Sequence, residues 1–179
     1  GIGSNSITND IAVMLQIGVD EAEEIKRKYA SAKASMSSTE LEFDLPVKNG
    51  GLARKVSEHE LSRYVEARAQ EIIQLIAREI FRADIRDQLT YGVVLTGGGA
   101  QLRNMVPLAQ EILKMRVRLG IPKNISGAVD VASNPEHTTV IGLLYWNDVK
   151  RELAPMAVPI KSTFERTVTW LKNWIKGLY

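Results

Sequence analysis

The residues best placed to do chemistry are consecutive glycines, Gly97-Gly98-Gly99. They stand between an apolar run, Gly92-Val93-Val94-Leu95-Thr96, and an amphipathic stretch carrying Leu102, Val106, Ala109 and Leu113. A backbone without Cβ atoms can approach a planar base or a phosphate closely. The helix start that follows adds free N–H groups and a partial positive charge. No Gly-Lys-Ser/Thr follows and the G-x-G-x-x-G spacing is absent, so neither the P-loop nor the dinucleotide fingerprint is present. Taken by themselves, the glycines also fit a tight strand-to-helix turn with no ligand.

A different chemistry is written into Ser162–Tyr179. Phe164, Val168, Leu171, Ile175 and Leu178 recur at i, i+4, i+7, i+11 and i+14, one helical stripe. Trp170 and Trp174 flank the stripe, Arg166, Lys172 and Lys176 take the polar side, and Glu165 is the only acid. Trp prefers the headgroup boundary, because its ring is apolar while its N–H needs a partner. Basic residues near an anionic leaflet add about 1 kcal/mol each. Such a helix lies in the plane of a membrane rather than crossing it. Composition alone also describes a terminal helix packed on the protein body. The linker with Pro155 and Pro159, the presence here of two of the chain's 3 Trp, and the one-sided basic bias favour the membrane.

His59 and His137, the only histidines, fall on separate elements without neighbouring metal-type ligands. Each reads as a satisfied surface or first-turn histidine, no nucleophile–base pair is evident, and no catalytic or metal residue is predicted. A formal charge of +2 is too small for a nucleic-acid binder. With 179 residues, 45% of them hydrophobic, the chain can bury a sizeable core as one soluble domain. The absence of cysteine excludes disulfides and thiolate metal sites and points to a reducing cytoplasm. The most apolar stretch, Val140 to Trp146, falls far short of the ~18–20 residues that span a bilayer. Gly1-Ile2-Gly3-Ser4 has neither a basic n-region nor an apolar h-region, and with no initiator Met it reads as a start in mid-chain.

The positioning elements follow from periodicity and punctuation. Ile7, Ile11, Met14 and Leu15 share one side of a short helix, and Ile17-Gly18 breaks it. Asp20 and Glu23 predict a cap opening a second helix with Ala22, Ile25 and Tyr29 inward. Leu41–Leu45 alternates as a half-exposed strand ended by Pro46 and Asn49-Gly50-Gly51. Ser57 and Glu60 predict a capping box before a long helix over 58–88. Leu61, Val65, Ile72, Ile76 and Ile80 make its inner face, widened by Tyr64, Leu75, Phe81 and Ile85. The Gly92–Thr96 run predicts a strand buried on both faces. Val117-Arg118-Leu119 makes a second strand, and Asn134 with Pro135 caps a helix to about Trp146. Strand, turn, helix and strand in that order give an α/β layer.

Tyr91–Leu102, YGVVLTGGGAQL, resembles the adenosine-binding turn of the actin-like ATPases, and of their FtsA family most closely. Val117 to Pro122 with Gly127, Asn134-Pro135 with Gly142-Leu143-Leu144, and Asn5 to Ile11 (NSITNDI) are similar to FtsA segments in the same order. The resemblance spans 1–147. It implies an α/β, incomplete actin-like (ribonuclease H-like) ATPase fold plus a C-terminal amphipathic helix. Residues 1–20 and 91–147 would be subdomain 2A-like, 21–90 subdomain 2B-like, 148–161 a flexible linker, and 162–179 a membrane-targeting helix.

For the ligand, the resemblance implies ATP, of which this stretch would hold the adenosine half, with Mg arriving on ATP in the complete protein. Ala22–Lys26 is similar to the segment that faces ribose and base, which assigns Glu23 and Lys26. Gly97, Gly98, Gly99 and Leu102 would lie under the adenine. Where the family often has glycine, this chain has Asn104, which tolerates left-handed backbone angles. The phosphate-binding hairpins match no stretch here, so no ATP hydrolysis is expected of this chain and subdomains 1A and 1C are expected upstream.

The resemblance further implies an adaptor of bacterial cell division. It would tether FtsZ filaments to the cytoplasmic face of the inner membrane at the division site and self-associate into filaments. The FtsZ C-terminal tail would dock on subdomain 2B. Arg63, Arg68, Arg78, Arg82 and Arg86, with Lys26-Arg27-Lys28, offer a basic surface there, although interleaved glutamates also describe a solvated face. Anionic lipid would meet Phe164, Val168, Trp170, Leu171, Lys172, Trp174, Ile175, Lys176 and Leu178. Two competing readings are an enzyme of the same superfold (a sugar kinase or chaperone ATPase) and another actin-like scaffold of the pilus or rod-shape type.

Overall fold

The computed structural model describes residues 1–45, 54–123 and 133–153, with side chains as far as Trp146. The predicted turn at Pro46 to Gly51, Gly127 and the amphipathic helix 162–179 lie outside the described residues. The chain divides into two compact units, Gly1–Thr139 and Val140–Tyr179.

α1 (Ser4–Leu15) turns Ile7, Ile11 and Leu15 inward, as their spacing predicts, and buries Thr8 among them. Gln16 takes a left-handed φ of 58°, and Ile17 N donates back to Ala12 O, which ends the helix. α2 (Val19–Tyr29) buries Ala22 and Ile25 against α1. Its cap differs from expectation: Gly18 is the N-cap, and the Glu21 carboxylate accepts from Gly18 N at 3.0 Å. Glu23 is thereby left for other partners.

β1 (Glu42–Asp44) points Phe43 inward and leaves Glu42 and Asp44 exposed. It pairs antiparallel with β2 (Lys55–Ser57), Phe43 opposite Val56, a strand too short for its alternation to register in the sequence. Phe43 stacks on Tyr29, ring centroids 4.2 Å apart and 5° from parallel, which fixes the ribbon to α2.

α3 (Glu58–Arg82) starts at N-cap Ser57, whose hydroxyl accepts from His59 N, one residue before the Glu60 N–H a capping box would use. The helix stops short of the expected residue 88. Asp84 N donates to Phe81 O and Ile85 N to Ile80 O, with Asp84 at φ 52°: a Schellman termination with aspartate in the usual glycine position. A 3₁₀ turn over Arg86–Gln88 follows. The inner face is Leu61, Val65, Ala69 and Ile73, with Ile72, Ile76 and Ile80 packed alongside. Tyr64 and Phe81 do not widen it; they are exposed.

β3 (Val93–Leu95) and β4 (Val117–Leu119) pair in parallel around α4 (Met105–Leu113). The expectation that β3 is buried on both faces is overturned. Among the described residues it pairs with β4 alone, α3 and α4 cover one face through Val93 and Leu95, and Val94 on the other is 47% exposed. α3 runs past two apolar clusters, Leu61 and Val65 in the first with α1, α2, β1 and β2, Ala69 and Ile73 in the second with α4 and β4. Asn134 Oδ1 accepts from Glu136 N at 3.0 Å and caps a 3₁₀ turn, Pro135–His137. α5 (Thr138–Leu153) then continues past Trp146 into the stretch expected as linker.

Candidate functional site

The glycine turn is built by one positive-φ glycine, Gly97, and a short 3₁₀ turn. Gly97 sits at φ 90°, and Gly98–Gln101 turns so that Leu102 leaves the strand end pointing back toward α1 and α2. Leu102 therefore precedes α4 rather than lying in it, and Asn104 makes the corner at φ 60° while its amide donates to Ser31 Oγ at 2.9 Å. The tolerance of asparagine for left-handed angles is thus used. Arg103 fixes the corner: it donates to Tyr29 O and Ala30 O, and pairs with Glu58, which is 3% exposed.

Facing this turn are the start of α1 and the middle of α2, across an open cleft of about 640 Å³. Glu23, Lys26, Gly98, Gly99 and Leu102 line it together with Ser4, Asn5, Arg27, Gln101, Arg103, Asn134 and Glu136. Gly97 is not in the lining; its role is to bend the chain. The glycines let neighbouring side chains close on the turn. A Cβ on Gly99 would stand 3.1 Å from Ser4 Cβ, and one on Gly98 3.3 Å from the Glu136 side chain.

Lys26 is 6% exposed, and its Nζ donates to Glu23 Oε2 at 2.5 Å, Thr8 Oγ1 at 2.8 Å and Ser4 Oγ at 3.0 Å. Those bonds use every N–H the ammonium has. Thr8 Oγ1 lies 2.6 Å from Glu23 Oε2, and Arg27 Nε 3.0 Å from Glu23 Oε1. Burial opposes ionisation of Glu23, but hydrogen bonds from Lys26, Thr8 and Arg27 outweigh it and hold the carboxyl at about 2. Arg27 Nη2 reaches Glu136 Oε1 at 3.8 Å on the far wall, and Gln101 Nε2 donates to Asn134 Oδ1 at 3.0 Å. The cleft thus presents a fixed carboxylate, amide groups and two glycines, a set suited to a hydroxylated, planar ligand.

A depressed carboxyl stabilises the fold above its ordinary value of 4.5, and that contribution is lost as pH falls through about 2. Glu23→Gln is therefore expected to lower stability at pH 7 and to flatten the loss between pH 4.5 and 2, measured by urea unfolding across that range. An unchanged acid limb in the variant would remove Glu23 from this role.

Of the basic surface expected for a peptide partner, Arg63 and Arg78 are exposed, and others are paired. Arg68 makes a two-pronged pair with Asp10, at 2.6 and 3.0 Å, Arg82 pairs with Glu79, and Arg86 donates to Leu113 O. Lys26-Arg27-Lys28 is not one patch either, since Lys26 is buried. His59 Nδ1 lies 3.2 Å from Ala34 O and 3.3 Å from Ser37 Oγ, a satisfied first-turn histidine as expected.

Ser4, Thr8 and Glu136 went unnoticed as parts of this network, and Arg27 was read only as part of a basic patch. Thr8 had a signal: it stands next to Ile7 on the buried stripe of α1, and a polar residue inside is informative where an apolar one is not.

The family model described as "Cell division protein FtsA" matches residues 1–142. The chain belongs to the FtsA family. FtsA of Pseudomonas aeruginosa is 32% identical over 98% of this chain and 44% of its own length, and FtsA of Escherichia coli 31% over 97% and 42%. The chain therefore spans less than half the length of these FtsA relatives. The fold is a partial actin-like one: MreB5 of Spiroplasma citri bound to ADP superposes with a TM-score of 0.61 at 18% identity, covering 84% of this chain and 46% of that one. The same protein bound to AMPPNP gives 0.61 as well. The FtsA motif stretches quoted above, from Asn5 to Ile11 and from Tyr91 to Leu102, form the helix and the turn that flank the cleft.

Proposed function

We propose that this chain is the nucleotide-holding, membrane-anchoring portion of an actin-like division adaptor, which tethers FtsZ filaments to the cytoplasmic face of the inner membrane and self-associates. The observation that carries the reading is the FtsA family match over 1–142, which includes the residues around the cleft. In this reading the cleft takes the adenosine half of ATP. Glu23 meets the ribose, the Gly98-Gly99 floor lies under the adenine, and Leu102 supplies an apolar edge. The residues fit such a group: the Glu23 carboxylate is held at the cleft wall to accept from a hydroxyl, and Gly98 and Gly99 add no side chains of their own to the lining. In this reading Mg would arrive on the phosphates of ATP in the complete protein.

Residues 1–20 and 91–147 act as the 2A-like part, 21–90 as the 2B-like part, and 162–179 as the anchor. No helix among the described residues is long and apolar enough to cross a membrane. The attachment proposed is peripheral, through the Trp- and Lys-bearing stripe. An enzyme of the same superfold would share the glycine turn, but nothing in a sugar kinase or chaperone ATPase calls for that terminal stripe. The chain is read as an adaptor that hydrolyses no ATP alone.

The test joins both partners. A fluorescent FtsZ C-terminal tail peptide, mixed with anionic liposomes and the full chain, is expected to sediment with the vesicles only when the chain is present. A tail that stays in the supernatant while the chain itself pellets would sink the tethering role.

A further inference from the structure

We propose that Thr8 is a positioning residue for Glu23: from α1 its hydroxyl holds the α2 carboxylate at the cleft wall, in the orientation that accepts a hydrogen bond from one of the vicinal hydroxyls of a ribosyl ligand. The inference deepens the adenosine reading and rests on it.

The geometry separates the residue that meets a ligand from those that aim it. Glu23 lines the cleft and its side chain is 33% exposed, whereas Thr8 is 3% exposed and lines neither this cleft nor the apolar hollow beside it. Thr8 cannot touch a ligand. Its Oγ1 accepts from Lys26 Nζ at 2.8 Å, and its single proton has two acceptors within reach, Glu23 Oε2 at 2.6 Å and Ser4 O at 3.3 Å. The shorter, charge-assisted bond to the carboxylate is the stronger.

Lys26 is equally committed. With Ser4, Thr8 and Glu23 on its ammonium it has no N–H left for a ligand, so it too acts through the carboxylate. Oε2 of Glu23 is saturated from inside by Lys26 and Thr8, and Oε1 receives Arg27 and keeps a lone pair. An exposed glutamate in the second turn of a helix samples many rotamers. One pinned at Oε2 by a buried hydroxyl on a neighbouring helix has a single orientation to offer, and preorganisation of that kind raises selectivity without adding a contact.

The test uses the full chain with adenosine and 2′,3′-dideoxyadenosine as probes, and Thr8→Val, which keeps the shape and removes the hydroxyl, against Thr8→Ser, which keeps it. The unaltered chain is expected to prefer adenosine by about tenfold, the charged acceptor being the source of the difference. Thr8→Val should bring that preference within about twofold, and Thr8→Ser should restore it. A ligand-free readout accompanies it: the Glu23 carboxyl, titrated by NMR, should rise above about 2 in Thr8→Val and not in Thr8→Ser. Thr8→Val with full selectivity and an unmoved Glu23 titration overturns the positioning role while leaving the adenosine site standing. Equal or absent binding of both nucleosides by the unaltered chain overturns the adenosine reading, and this role with it.

Discussion

Gly92→Ala is expected to destabilise the chain by roughly 3–5 kcal/mol, at the severe end of what single substitutions do. Gly92 stands at φ +83°, where an L side chain is strained, and a Cβ there would lie 2.1 Å from Arg116 O and 2.8 Å from its carbonyl carbon. The obstacle is backbone that has no freedom to move: the same carbonyl accepts the Val93 N–H at 2.8 Å, the bond that opens the β3–β4 ladder. Relieving the clash breaks the pairing that holds the glycine turn in place. Gly120→Ala is the control. Its Cβ would meet Val94 Cγ1 at 2.6 Å, but Val94 is half exposed and can rotate aside. That variant is expected to lose about 1 kcal/mol or less. Urea unfolding of the two, followed by circular dichroism, separates backbone collision from crowding, and equal losses would show that crowding alone matters at this corner.

What the sequence told of the fold, it told through residues whose role is local. Ile7, Ile11 and Leu15 find their face because the 3.6-residue period needs no partner to be read. Asn134 and Ser57 cap because side-chain oxygens beside free N–H groups act within a few residues. The errors share a different cause. Asp20 resembles a cap, yet Gly18 and Glu21 take that role, which frees Glu23 for a network assembled across α1 and α2. Phe81 and Tyr64 fit a helical stripe, but whether a stripe is covered depends on what lies opposite, and among the described residues nothing covers them. β3 reads as doubly buried from Val-Val-Leu, while burial of Val94 would need a layer that the described residues do not supply. The same division runs through the site. The glycine turn is visible in one dimension; Thr8, Ser4 and Glu136 join it only when three segments meet.

Trp170→Glu with Trp174→Glu is expected to abolish sedimentation of the full chain with anionic liposomes, as is ending the chain at Lys161. Residues 162–179 are argued from their pattern alone. An apolar stripe from Phe164 to Leu178 with Lys172 and Lys176 on the opposite side can bind a headgroup layer by two additive terms. Burying the two indoles contributes roughly 1.5–3 kcal/mol each, so their loss weakens binding at least about a hundredfold before any repulsion by the new carboxylates. Each lysine adds about 1 kcal/mol near an anionic leaflet, a term that salt screens while the indole term persists. Raising ionic strength should therefore weaken the unaltered chain only in part, whereas the double variant should fail at every salt concentration. Sedimentation of all three chains alike, or of none, would mean that the terminal stripe packs on protein. A family match over 1–142 with no membrane contact at its end would then describe an actin-like body whose anchor lies elsewhere, and tethering would have to be sought on another surface.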